Sequence, residues 1–193
     1  MFVIGLTGSL ASGKTTVATM FKKCGAKVIH ADNIVHQLLK PSGACYKKVV
    51  AFFGRDVCRG RHIDRKALAT IVFRDARQRK KLESLIHPEV KKVIRRSLRK
   101  LKKTSATVVL DVPLLFESGL HKLVDVTVVV VSTQEKQLYR AHKYYTMTKA
   151  EALRRIKAQM PLRKKIQCAD FIIDNNGTKK QTEKQVKLLW QKL

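Results

Sequence analysis

Short apolar runs that end at glycine or aspartate alternate along this chain with stretches whose apolar residues recur at helical spacing. Phe2-Val3-Ile4-Gly5-Leu6-Thr7 is apolar almost throughout, the pattern of a strand buried on both faces. Lys14 to Cys24 carries Val17, Met20 and Phe21 three or four positions apart, and Gly25 stops it, so a helix is predicted there. Lys27-Val28-Ile29-His30-Ala31 predicts a second strand, ending at Asp32. A strand, a helix and a strand within roughly thirty residues make a βαβ unit, which implies a parallel sheet.

From Asn33 to Lys103 the pattern turns almost wholly helical. Helices are predicted over 33–40, 42–54, 64–73, 76–86 and 88–103, with breaks at Pro41, Gly54, Gly60 and Pro88. Asp64 is a good N-cap for the third. This is more chain than a simple crossover needs, so it reads as an inserted helical subdomain. Strands resume at 107–111 and 125–131, dense in β-branched residues. Helices follow over 133–145 and 148–160, the second opened by a Thr148–Glu151 capping box. Phe171-Ile172-Ile173 is a last strand, leading through Asp174-Asn175-Asn176-Gly177 into a C-terminal helix. The expected fold is α/β, with a five-stranded parallel sheet and a helical insertion.

Gly8-Ser9-Leu10-Ala11-Ser12-Gly13-Lys14-Thr15 fits G-x-x-x-x-G-K-[ST] and stands between a predicted strand and a predicted helix, the context that confirms a phosphate-binding loop. Glycines let the loop curl so that successive N–H groups face one oxyanion, and the helix N-terminus adds positive potential. Lys14 would reach the outer phosphates of ATP, and Thr15 would offer a hydroxyl to Mg²⁺. A regulatory GTPase is excluded: Asp111-Val112-Pro113-Leu114 lacks the switch glycine, and Asn175-Asn176-Gly177-Thr178 lacks the base-reading lysine. Asp32, at the end of the second strand, reads as a general base for an acceptor hydroxyl or as a helix cap. Asp111, at the end of the third, reads as a carboxylate orienting Mg²⁺ directly or through water, or as a strand-end cap. A cationic lid is expected over 140–165, where Arg140, Lys143, Lys149, Arg154, Arg155, Lys157, Arg163, Lys164 and Lys165 stand. The residues alone do not choose among these nine.

Composition changes the picture in two respects. Of 193 residues 45% are hydrophobic, which rules out wholesale disorder despite a net charge of +27. That charge points to polyanions, nucleic acid or small molecules with several phosphates. Much of it lies between Arg74 and Lys103 on a stretch that also reads as amphipathic helix. Aromatics are only 6% and are not interleaved with it, which weakens a base-stacking platform. No helix-turn-helix, finger or helicase signature accompanies the charge, so any nucleic-acid contact is expected to be non-specific. The four cysteines contain no C-x-x-C pair, no apolar run approaches a membrane span and Met1–Leu6 has no basic lead. A cytoplasmic protein is the expectation.

The motifs taken together resemble the dephospho-coenzyme A kinase family. The similar elements are Gly5-Leu6-Thr7-Gly8 with Ala11-Ser12-Gly13-Lys14-Thr15, Ala31-Asp32, Ile63-Asp64-Arg65, Ile86-His87-Pro88-Glu89, Asp111-Val112-Pro113-Leu114-Leu115-Phe116-Glu117, Gln137-Leu138-Tyr139-Arg140 and Ala169-Asp170-Phe171-Ile172-Ile173-Asp174-Asn175 with Gly177. The resemblance implies a three-layer P-loop NTPase fold like that of nucleoside monophosphate kinases, with a nucleotide core (1–32, 104–139, 166–193), an acceptor-binding insertion (33–103) and a lid (140–165). It also implies phosphoryl transfer from ATP to the ribose 3′-hydroxyl of dephospho-coenzyme A, with Mg²⁺. Asp32, Lys14 and Arg140 would then be catalytic. Gly8, Ala11, Ser12, Gly13, Lys14, Thr15, Thr16, Asn175 and Gly177 would bind nucleotide, and Asp32, Asp64, Arg65, His87, Pro88 and Leu115 would lie near the acceptor. Thr15 and Asp111 would serve the metal. A monomer is expected, with no membrane partner. The chain departs from the family pattern at His30, where an acid is usual, at Ser9, where a glycine is usual, and at Tyr144, where a lid arginine is usual. A basic nucleic-acid-binding NTPase is the rival from another class, and a nucleoside monophosphate kinase the rival within the class.

Overall fold

Phe2–Gly8 (β1) is the centre of a five-stranded parallel sheet in the computed structural model, which describes residues 1–104 and 106–193. After β1 come Lys14–Lys23 (α1), Lys27–His30 (β2), Ala31–Leu38 (α2) and Tyr46–Phe53 (α3). Cys58–Arg59 (β3) and His62–Ile63 (β4) form a small antiparallel pair before Arg65–Arg74 (α4) and Ala76–Leu101 (α5). Thr107–Asp111 (β5), Val126–Val131 (β6), Gln134–Tyr145 (α6), Lys149–Lys157 (α7), Leu162–Gln167 (α8), Phe171–Asp174 (β7) and Lys179–Lys192 (α9) complete the chain. The sheet order is β2-β5-β1-β6-β7, so all five strands expected from the apolar runs are present.

The chain divides into two compact units, Met1–His30 with Leu101–Leu193, and Ala31–Lys100. In the first, alternate residues of the three central strands, β1, β5 and β6, face opposite ways, and both sets are buried. Ile4, Leu6, Val109, Val128, Val130 and Ile173 meet Val17 and Phe21 of α1 and Val186 and Leu189 of α9 in one core. Val3, Val108, Leu110 and Val129 are buried as well. The sheet is therefore covered on both sides, as parallel sheets require. No helix among the described residues is long and apolar enough to cross a membrane.

The second unit corrects several expectations. Residues 76–101 form one 26-residue helix that runs through Pro88, where a break was expected. Ile86, Val90, Ile94 and Leu98 are buried at four-residue intervals along it. Burying each is worth about 1.5–3 kcal/mol, which together exceeds the ~3 kcal/mol that an internal proline costs. The helix expected over 42–54 starts only at Tyr46, because Gly43 turns tightly under α2; a Cβ there would lie 2.2 Å from the Leu38 carbonyl oxygen. The β3–β4 pair, turned at Gly60 (φ 61°), was not expected, since two-residue strands carry no periodicity. In the first unit, the helix expected over 148–160 ends at Lys157, and Pro161 opens the additional helix α8.

Candidate functional site

β1 carries Gly8 to the C-terminal edge of the sheet, between β5 and β6. The loop beyond it closes a turn, the Ser12 N–H donating to the Ser9 carbonyl at 3.1 Å. Ala11 (φ 54°) and Gly13 (φ 94°) are left-handed within it. Such changes of hand turn successive N–H groups toward one concavity, an anion nest. For alanine the conformation costs about 1–2 kcal/mol, so the rest of the loop must hold it there. At Gly13 a side chain is excluded by space as well, because a Cβ would lie 1.9 Å from Asn175 Nδ2. α1 starts at Lys14 with no acidic residue in its first turn, leaving its positive end uncompensated.

Below the loop, Lys14 Nζ pairs with Asp111 Oδ1. The other carboxylate oxygen accepts from His30 Nδ1 at 2.7 Å, so that ring nitrogen carries the proton. Asp111 is only 4% exposed, and both of its oxygens are engaged by donors. The Asp111 carboxylate and the Thr15 hydroxyl are hard oxygen donors of the kind that suit Mg²⁺. Among the described residues, no three His, Cys, Asp or Glu side chains converge into a protein-only cage. That donor set fits a cation shared with phosphates and water.

A second layer grips the loop from the side. The Ser12 carbonyl accepts from Asn175 Nδ2 at 2.8 Å and from Arg140 Nη1 at 3.2 Å. Arg140 also donates to Ser132 Oγ at 3.2 Å and to the Asn175 carbonyl at 3.0 Å. The Leu10 N–H donates to Gln159 Oε1 at 3.1 Å. Arg140 is thus turned onto the loop from α6. Lys165, one of the nine lid candidates, is fully buried instead, donating to the Pro113 carbonyl at 2.7 Å and pairing with Glu117 at 3.0 Å. Lys143 lies 5.4 Å from the centre of the Tyr139 ring and 5.7 Å from that of Tyr144.

The structure thus brings together Gly8 to Thr16, Asp111, Arg140 and Asn175, all in one unit. Gly177 closes the turn into α9, where a Cβ would lie 2.3 Å from Gln181 Oε1. Leu115 is fully buried in this unit, its side chain filling the space over Gly5. Asp32, Asp64, Arg65, His87 and Pro88 belong to the other unit. Asp32 was expected to end β2 or cap the next helix; it sits within the first turn of α2, which starts at Ala31. Asp64 is the N-cap of α4, accepting from Lys66 N at 2.8 Å and Ala67 N at 3.2 Å. Those backbone donors hold its carboxyl below the usual range. Arg65 meets His36 Nδ1 at 2.7 Å, and His87 and Pro88 lie mid-way along α5.

Residues 2–181 match the family model described as dephospho-CoA kinase. The chain belongs to the dephospho-CoA kinase family. A dephospho-CoA kinase of Carboxydothermus hydrogenoformans is 41% identical over 192 residues, covering 98% of this chain and 93% of the relative. Among solved structures, a Thermus thermophilus protein superposes with a TM-score of 0.83 at 31% identity, covering 100% of this chain and 97% of that one. The dephospho-CoA kinase of Campylobacter jejuni gives 0.71 at 28% identity, covering 98% and 96%.

As a member of the dephospho-CoA kinase family the chain accommodates its departures locally. Ser9 is not among the residues with positive φ, so a side chain there is unstrained. His30 takes up one oxygen of Asp111. Sequence reasoning missed Ser132 and Thr182, two buried hydroxyls near the loop. The only signal for the first was its place as the first polar residue after the apolar run of β6.

Proposed function

We propose that the protein transfers the γ-phosphoryl group of ATP to the ribose 3′-hydroxyl of dephospho-coenzyme A, giving coenzyme A and ADP. The observation that carries this reading is the loop from Gly8 to Thr15, with its left-handed Ala11 and Gly13, its uncompensated helix end and Lys14 poised over Asp111. Family membership along nearly the whole chain supplies the acceptor.

The loop amides and Lys14 bind the β- and γ-phosphates, Lys14 leaving part of its pairing with Asp111 to do so. Thr15 and Asp111 are the residues that would hold Mg²⁺, which supplies charge neutralisation to the phosphates when bound. Asp32 orients the ribose hydroxyl and accepts its proton. Arg140, bonded to the Ser12 carbonyl, adds positive charge beside the phosphates. Asp64, Arg65, His87 and Pro88 serve the acceptor from the helical unit, as does the backbone about Leu115 from the core. Residues 140–165 form the lid, with Lys143 supplying charge where Tyr144 replaces the usual arginine. Asn175 and Gly177 border the nucleotide. We assign the protein to the cytoplasm, acting as a monomer, with nucleic acid met at most non-specifically.

An ADP-release assay across dephospho-coenzyme A, adenosine and the common nucleoside monophosphates tests the assignment, with mass spectrometry locating the added phosphate at the 3′ position. Equal or better turnover of a nucleoside monophosphate would overturn it.

A further inference from the structure

The Ser12 carbonyl is the meeting point of two side chains, Asn175 and Arg140, brought together by the segment after β7 and by α6. Asn175 follows β7, and its carboxamide is used at both ends: Nδ2 donates to Ser12 at 2.8 Å, and Oδ1 accepts from Thr182 Oγ1 at 3.0 Å. Thr182 is fully buried on α9, and its hydroxyl also reaches the Thr178 carbonyl at 3.3 Å. The Asn175 N–H is tied to the Val131 carbonyl at 2.9 Å. Beside it stands the Arg140 fork, which spans the carbonyls of Ser12 and Asn175 and the Ser132 hydroxyl.

We propose that Asn175, braced by Thr182, and Arg140 are positioning residues that fix the Ser12–Gly13 peptide and thereby the anion-binding geometry of the phosphate loop. In a planar trans peptide the carbonyl of one residue and the N–H of the next point in opposite directions. Two donors on the Ser12 carbonyl therefore hold the Gly13 N–H pointing away from Asn175 and Arg140. Gly13 itself, left-handed and without a side chain, would otherwise allow this peptide to rotate easily. The clasp meets that cost before nucleotide arrives, so the loop need not be ordered by the phosphates. Each donor acts through backbone that the loop presents to phosphate, with no requirement to touch the nucleotide.

The inference rests on the kinase assignment, and the test separates the two. Thr182→Val keeps shape and burial but removes the donor that orients Asn175; Thr182→Ser restores it. Direct titration with MgATP and MgADP should show affinity about five- to tenfold weaker in Thr182→Val, near wild type in Thr182→Ser, and weaker by at least tenfold in Asn175→Ala. The KM for dephospho-coenzyme A should stay within about twofold in every variant that folds. A lower melting temperature in Thr182→Val with wild-type ATP affinity would overturn the clasp, as would equal losses for both substrates. If Asn175→Ala does not fold, the Thr182 pair decides alone. A wild-type enzyme that binds ATP but leaves dephospho-coenzyme A unphosphorylated would remove the functional assignment and leave the clasp intact.

Discussion

The ammonium of Lys165, with no exposed surface, lies 3.0 Å from Glu117 Oε1. It also donates to the Pro113 carbonyl, two residues beyond Asp111, so α8 is fastened to the turn that follows β5. Removing one member of a buried pair costs more than removing the charge altogether, because the remaining ion is stranded. Glu117→Gln should lower unfolding free energy by about 3 kcal/mol, and Lys165→Met by less, measured by urea denaturation. Burial, and to a smaller degree Lys14, lowers the Lys165 pKa below 10.5, against the opposing pull of Glu117. The unfolded chain then binds more protons between the lowered value and 10.5, so wild type should gain stability relative to Lys165→Met as pH rises through that window.

Asp170 gives the opposite dependence. Its Oδ2 accepts from the Thr127 N–H and hydroxyl, both at 2.7 Å, and these bonds lower its pKa, the hydroxyl most. A depressed carboxylate contributes stability above its unfolded pKa and loses it as pH falls through the folded one. Asp170→Asn should cost about 1 kcal/mol at pH 7 after allowing for solvent exposure, and the difference should shrink as pH falls below the ordinary carboxylate range and through the depressed folded pKa. Paired unfolding curves at pH 7 and at successively lower pH check this.

Asp32 is the sharpest chemical test. A ribose hydroxyl is a poor nucleophile at neutral pH, and a carboxylate can orient it and take its proton. Asp32→Asn keeps size and hydrogen bonding but not basicity, and should lower single-turnover rates about 10²–10⁴-fold while ATP affinity survives. Near-normal turnover would reduce Asp32 to a charge in the first turn of α2.

Strand positions and the phosphate loop were legible because each rests on local pattern: β-branched runs for β5 and β6, fixed spacing for Gly8 to Thr15. What stayed hidden depends on long-range neighbours. Lys165 reads as a surface cation until Glu117 and Pro113 arrive from some fifty positions away. In the Thr182–Asn175–Ser12 chain, Asn175 and Ser12 stand 163 positions apart, and nothing in periodicity foretells their meeting. Pro88 misled for a related reason, since tertiary burial on both sides of it outweighs its local penalty.

The charge has its own test. Arg77, Lys81, Arg95 and Arg99 are exposed on α5 and, at 100° per residue, fall within about 40° of one another on its surface. Binding of a labelled RNA duplex should fall steeply between 50 and 200 mM salt, approximate conditions under which counterion release dominates. Arg95→Gln with Arg99→Gln should lower the log–log slope by about 2. Salt-resistant, sequence-selective binding would revive the nucleic-acid reading.

The placement of β1 sets a timetable for synthesis. Phe2 pairs with Thr107, and Ile4 with Val126, so β1 is made before both of its partners and waits for them. At about 5–20 residues per second, roughly 5–20 s pass before β5 emerges. Through that interval an apolar strand with two open edges accompanies the ribosome, while α2 to α5 can already form from local contacts. The segment that carries the phosphate loop is therefore, during its first seconds, the part of the chain most in need of shelter from other nascent chains.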